Sequence, residues 1–240
     1  MRRILLAAAL VTTLWTAGCS GPTASTAITT TSEGEAHRSA PGKDAAFDNA
    51  ALIRFFNADS QHPTLTVYLQ KHPLFTDVAY RKITPYMETE RGYSLFTLSP
   101  EAKTDLNSRR RELFPGRHYT LIALPTKKGE ARLESFSDNL GRIDPGQARV
   151  RLVNATTSVK DLDLYIQSTS TRVLRGSGSG DIVSFAEMYA ADVEIRADNK
   201  PAAGTLASLK VEPNKLYTFI AVDDGGKLDV VQIVDELESK

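Results

Sequence analysis

One repeat constrains this chain more than any other feature. Ala51 to Gln70 reads A-L-I-R-F-F-N-A-D-S-Q-H-P-T-L-T-V-Y-L-Q. Ala148 to Gln167 reads A-R-V-R-L-V-N-A-T-T-S-V-K-D-L-D-L-Y-I-Q, an ungapped match at an offset of 97 positions. Seven of the twenty positions are identical: Ala51/Ala148, Arg54/Arg151, Asn57/Asn154, Ala58/Ala155, Leu65/Leu162, Tyr68/Tyr165 and Gln70/Gln167. A period this long repeats a whole domain, not a short solenoid unit. With 240 residues the chain has room for two such domains.

Both copies carry the period-two alternation of half-buried strands. In the first, Ile53 and Phe55 share a face opposite Arg54, and Leu65, Val67 and Leu69 oppose Thr66, Tyr68 and Gln70. The intervening Asp59-Ser60-Gln61-His62-Pro63 is turn chemistry. His118 to Leu124 is apolar nearly throughout and reads as a central strand. Tyr217-Thr218-Phe219-Ile220-Ala221 answers it at offset 98, and Val193 to Arg196 is read as answering Tyr93 to Phe96. Glu101 to Glu112 is the one stretch with helical character, but its C-terminal part aligns with the alternating Ala207 to Glu212, which favours a strand. Short strands with turn signals between them predict an all-β chain of two tandem immunoglobulin-like antiparallel sandwiches. Their spans are read as 47–144 and 145–240, with Asp144-Pro145-Gly146 as a short, semi-rigid joint.

What precedes them is an export signal. Arg2-Arg3 is followed by an apolar run, Ile4 to Trp15, too short for a permanent span. Thr16-Ala17-Gly18-Cys19 then resembles a bacterial lipobox, with Thr16 where leucine is usual. This resemblance makes 1–18 a lipoprotein signal peptide, Cys19 the lipidated residue and Ser20 an outer-membrane sorting residue. Residues 20–46, rich in Ser, Thr, Ala, Gly and Pro, read as a disordered tether with a reach of roughly 30 Å. Cys19 is the only cysteine, so each domain must hold itself by burial. Basic and acidic residues balance at 29 each, which argues against a nucleic-acid partner.

The opening motifs A-L-I-R-F-F-N-A and A-R-V-R-L-V-N-A, with Tyr119 to Ala123 and Tyr217 to Ala221, resemble the bacterial domain-of-unknown-function family 4397. Ile83 to Glu88 and Gly92-Tyr93 fit its middle. The resemblance implies a secreted or surface-anchored protein, commonly with tandem copies, and supplies no activity. A more distant likeness is to a two-copy accessory protein of alginate O-acetylation.

Chemistry is harder to find. Gly176 to Gly180 has glycine, not serine, at its centre, so it is no nucleophile elbow and reads as a hairpin loop. The four histidines show no zinc-helix spacing, and no metal or other cofactor is expected. Asp223-Asp224-Gly225-Gly226 resembles a calcium loop but lacks its closing glutamate and reads as a hairpin turn. Asp161 and Asp163 read as a solvated strand face. Two sets remain as binding candidates. Tyr68 and Tyr165 suit sugar or protein recognition on a sheet face, against the favoured alternative of a repeated packing position. Arg109-Arg110-Arg111 suits an anionic head group or acidic polysaccharide, against the favoured alternative of edge-strand charges that prevent aggregation. The expectation is a non-catalytic, lipid-anchored envelope protein that binds or spaces an envelope glycan or protein. The alternative is an accessory subunit of a complex that modifies an exported polysaccharide.

Overall fold

The computed structural model describes residues 28–31, 50–100, 105–197, 205–224 and 226–237. The stretch read as a signal peptide, 1–18, and Cys19 lie outside them. Within the stretch read as tether the structure holds one short strand, β1 (Ile28–Thr31), so that reading fails there. The physical reason is local. A run of β-branched residues favours extended backbone, and a free sheet edge lies within its reach, as described below.

The first copy supplies β2 (Ala50–Asn57), β3 (Thr64–Leu69), β4 (His72–Ala79), β5 (Met87–Glu90), β6 (Gly92–Ser99), β7 (Asn107–Leu113), β8 (His118–Pro125) and β9 (Ala131–Asp138). The second supplies β10 (Gln147–Ala155), β11 (Asp161–Ile166), β12 (Thr171–Gly178), β13 (Ile182–Tyr189), β14 (Ala191–Ala197), β15 (Thr205–Val211), β16 (Lys215–Asp224) and β17 (Lys227–Glu236). Their sheets are ordered identically: β5-β2-β8-β9 over β4-β3-β6-β7, then β13-β10-β16-β17 over β12-β11-β14-β15. The outer edge of β17 takes β1 in parallel, Ile28 opposite Val231.

The expected pair of all-β sandwiches is what the chain forms. Each has eight strands, where immunoglobulin domains have seven or nine. The first strand of each copy runs parallel to the seventh, β2 with β8 and β10 with β16. The stretch with helical character is strand β7. One register differs from expectation. Phe96 lies opposite Leu69 and Val193 opposite Ile166, so Val193 answers Phe96 and not Tyr93, and its side chain turns inward.

Each sandwich closes its own apolar core. Ile53, Phe55, Leu65, Val67, Phe96 and Leu121 fill the first, and Val150, Leu152, Leu162, Leu164, Ile195 and Phe219 the second. A third apolar layer then joins the copies. Phe56, Ile122 and Leu124 of the first pack on Val153, Ile220, Val222 and Ile233 of the second. The two sheets that meet there are buried on both faces. That explains why β8 and β16 read as continuous apolar runs and not as alternating ones. With sheets about 10 Å apart, four stacked layers span about 30 Å from first to last.

The joint between copies is pinned. Arg149 donates to the carbonyls of Asn139 (2.9 Å), Gly141 (2.6 Å) and Arg142 (2.7 Å) and pairs with Glu187. The Asp144 carbonyl accepts from Gln147 N across a turn whose Gly146 has φ 80°, the left-handed backbone that glycine tolerates. Asn57 and Asn154 do the same structural work in both copies. Each amide nitrogen donates to two carbonyls, His62 and Val78 in the first copy, Val159 and Ser177 in the second.

Candidate functional site

Arg54 and Arg151, equivalent in the repeat, both leave their own core and enter the layer between the copies. Arg54 is 2% exposed and grips Asp235 of the second copy with both terminal nitrogens, at 2.7 Å each. Arg151, also 2% exposed, donates at 3.0 Å to Asp138 of the first copy and at 2.7 Å to the Ser137 carbonyl. Asp138 and Asp235 are themselves 97 positions apart. The contact is therefore reciprocal, as across the two-fold axis of a homodimer, but within one chain. An aromatic ring of its own copy covers each guanidinium: Tyr86 at 4.4 Å from Arg54, Phe185 at 3.9 Å from Arg151.

The two halves of this hub are unequal. Asp138 also accepts from Tyr86 OH (2.9 Å) and Thr120 Oγ1 (2.5 Å), and Thr120 in turn accepts from Arg54 Nε (2.9 Å). Thr218, the counterpart of Thr120, has a buried hydroxyl with no hydrogen-bond partner among the described residues. Burial disfavours both charges. Asp138 and Asp235 more than offset it at Arg54, whose proton is held more tightly than in an ordinary arginine. At Arg151 burial prevails over Asp138, and the proton is held less tightly. Burial, reinforced by Asp138, also pushes the Tyr86 phenol well above its ordinary value, so it stays a donor.

Beside the hub lies a cleft. Its inner part, about 360 Å³, is bounded by Arg111, Ser135, Phe136, Arg151, Ser184 and Phe185. It adjoins an outer part of about 700 Å³ between Phe114, Arg117 and Tyr119, and Arg111 and Ser137 line both. The Arg111 guanidinium sits 5.3 Å from the Tyr119 ring, and its Nε is buried with no hydrogen-bond partner. The Ser135 hydroxyl is also buried and unpaired. The cleft thus offers cations, hydroxyls and aromatic edges, with the Glu112 carboxylate on the rim of its outer part.

The sequence candidates divide. The arginine run alternates across β7. Arg109 and Arg111 turn towards the first sandwich's open corner, where Arg109 reaches Glu134 at 3.2 Å. Arg110 lies on the outer face beside Gln70, Tyr93 and Leu95. Tyr68 and Tyr165 do not come together, because they sit on the first and last sheets of the stack. Tyr165 is half-buried, covered by Arg196 at 4.1 Å, and bonds Asp163. Asp163 is not the solvated residue expected. It is 1% exposed, held by Arg172 and the Gly176 amide. Asp223 accepts from Thr157 and Ser158, so the turn there is a hairpin pinned by hydroxyls. Among the described residues no three His, Cys, Asp or Glu side chains gather as a metal site, and no helix is long and apolar enough to cross a membrane. Sequence reasoning missed Asp138 and Asp235. The signal was present: a second aspartate at the same offset as the repeated arginines.

No curated protein matches the chain. Its likeness to solved structures is distant, as two of them illustrate. The C-terminally truncated tip fimbrial protein Mfa3 of Porphyromonas gingivalis is 10% identical, covering 78% of this chain and 99% of that one at a TM-score of 0.26. A putative cell adhesion protein from Bacteroides uniformis is 6% identical, covering 82% and 100% at a TM-score of 0.22. Likeness at that level carries nothing about function. The family model described as "domain of unknown function (DUF4397)" matches residues 51–165, the first sandwich and the opening of the second, and over that stretch the chain is similar to this family.

Proposed function

We propose that the protein is a non-catalytic, lipid-anchored envelope protein that holds a double-sandwich body away from the membrane to bind or space an envelope component. The observation that carries this reading is the reciprocal interface. Two buried Arg–Asp contacts and a shared apolar layer weld the copies into one unit, which suits presentation at a fixed distance. The Thr16-Ala17-Gly18-Cys19 motif supports attachment through Cys19, at the outer membrane and on its periplasmic or surface face. The partners in this reading are the membrane, through the lipid, and an envelope glycan or protein. Palmitate labelling tests it. The wild-type chain should take up label and sediment with membranes, and Cys19→Ala should do neither. A Cys19→Ala chain that still sediments with membranes would sink the anchor.

A further inference from the structure

Among the described residues, the second sandwich fills the corner that corresponds to this cleft with apolar side chains, and that difference says what the cleft is for. Leu209 lies at offset 98 from Arg111, and Val211, opposite Ala191 as Arg111 is opposite Ser94, takes its place in the sheet; at offset 97 Ser137 answers Val234. Leu209 and Val211 are part of the second core, with Val234 packed against that core. The second copy therefore closes its corner with apolar groups. The first opens the same corner and lines it with a guanidinium and hydroxyls. Packing alone would favour an apolar residue, since a half-buried arginine with an unpaired Nε costs stability. Among the described residues its Nε has no hydrogen-bond partner.

We propose that this cleft binds an oligosaccharide bearing carboxylates, with Arg111 receiving a carboxylate. Planar guanidinium groups pair with carboxylates through two parallel hydrogen bonds. Ser137 and Ser184 supply the hydroxyl contacts a sugar ring needs, and Tyr119 and Phe114 supply apolar faces. An added peptide strand fits less well, although β9 is a sheet edge. Asn107 Oδ1 already occupies the Leu133 amide and Arg151 the Ser137 carbonyl, so the ladder positions a strand needs are blocked. The proposal deepens the binding role above and is independent of the lipid anchor.

The test uses the full mature chain carrying Cys19→Ala, titrated by calorimetry with oligogalacturonate and with its carboxyl-reduced, neutral counterpart. The acidic oligomer should bind and the neutral one should bind at least about tenfold more weakly. Arg111→Leu installs an apolar residue, as the second copy has there, so the fold should persist. It should lose about tenfold or more in affinity for the acidic oligomer with the thermal midpoint maintained. Arg110→Ser, on the opposite face of β7, should bind as wild type. Equal binding of acidic and neutral oligomers, unchanged binding by Arg111→Leu, or no binding of the acidic oligomer overturns the proposal. So does preference for an acidic extended peptide, which would make the cleft a strand acceptor. Membrane fractionation of Cys19→Ala is unaffected by any of these results, so the two readings fail separately.

Discussion

The two sandwiches have the same strands in the same order, yet they differ where they meet solvent and where they meet each other. At the open corner the first copy has Arg111 and Ser137, and the second has Val211 and Val234. In the hub the first copy's Asp138 collects Arg151, Thr120 and Tyr86, whereas among the described residues Asp235 accepts only from Arg54. The second copy has settled into a packing role, with β1 along its edge and an apolar corner. The first keeps polar groups in places where packing would not choose them. A duplication explains both facts: once one copy secures the shared layer, the other is free to retain a costly arginine.

The hub is the sharpest place to break this comparison. Asp138→Ala removes the carboxylate partner of a fully buried Arg151 together with two hydroxyl contacts. It should cost about 3–5 kcal/mol, the usual penalty for stranding a buried charge. Asp235→Ala leaves Arg54 with Thr120 and with Asp138 at 3.7 Å, so its cost should be smaller, about 1–3 kcal/mol. Urea unfolding of the two variants measures the order. Equal losses would mean that the hub is symmetric after all.

The corners come next. Val211→Arg puts an unpaired charge into a closed core and should cost on the order of 3 kcal/mol. The converse change at the first corner, Arg111→Leu, should leave stability within about 0.5 kcal/mol or raise it. Denaturant midpoints for the pair decide. If both substitutions cost the same, the corners are equivalent and the first copy's cleft is only a packing variant.

Much of this was legible in the residues. The repeat gave the copy number, alternation gave the strands, and the buried Arg54, Asn57 and Leu65 sit where their repeats sit. The misses share one physical cause. Alternation tells which face a side chain takes but not what covers that face. Alternation puts Arg54 on the face away from its own core and Asp163 on a face expected to be solvated, yet a second sheet covers one and Arg172 with the β11–β12 strand pair covers the other. Burial supplied by another layer leaves no period in the strand itself. The cleft was partly visible: the arginine run stood out against Ala207-Ser208-Leu209, but only the fold shows that Arg110 leaves the corner while Arg111 enters it.

The smallest effect concerns His118, which the second copy replaces with Leu216. The ring is half-buried, set edge-on to Tyr86 at 5.0 Å, and faces Arg54, Asp138 and Asp235 across the hub. Burial lowers its pKa below the ordinary 6.5. Asp138 and Asp235 oppose the shift, and Arg54 adds to it. A base with a depressed folded pKa is protonated first in the unfolded chain. Its contribution is therefore full above about 6.5 and is lost as the pH falls towards the folded value. Stability should decline as the pH falls below about 6.5. His118→Leu should flatten that decline while leaving stability at pH 8 little changed, since Leu216 shows the position accepts a leucine. Thermal midpoints across this window read the effect. A variant with the wild-type slope would place the pH dependence elsewhere and remove His118 from the list of differences between the copies.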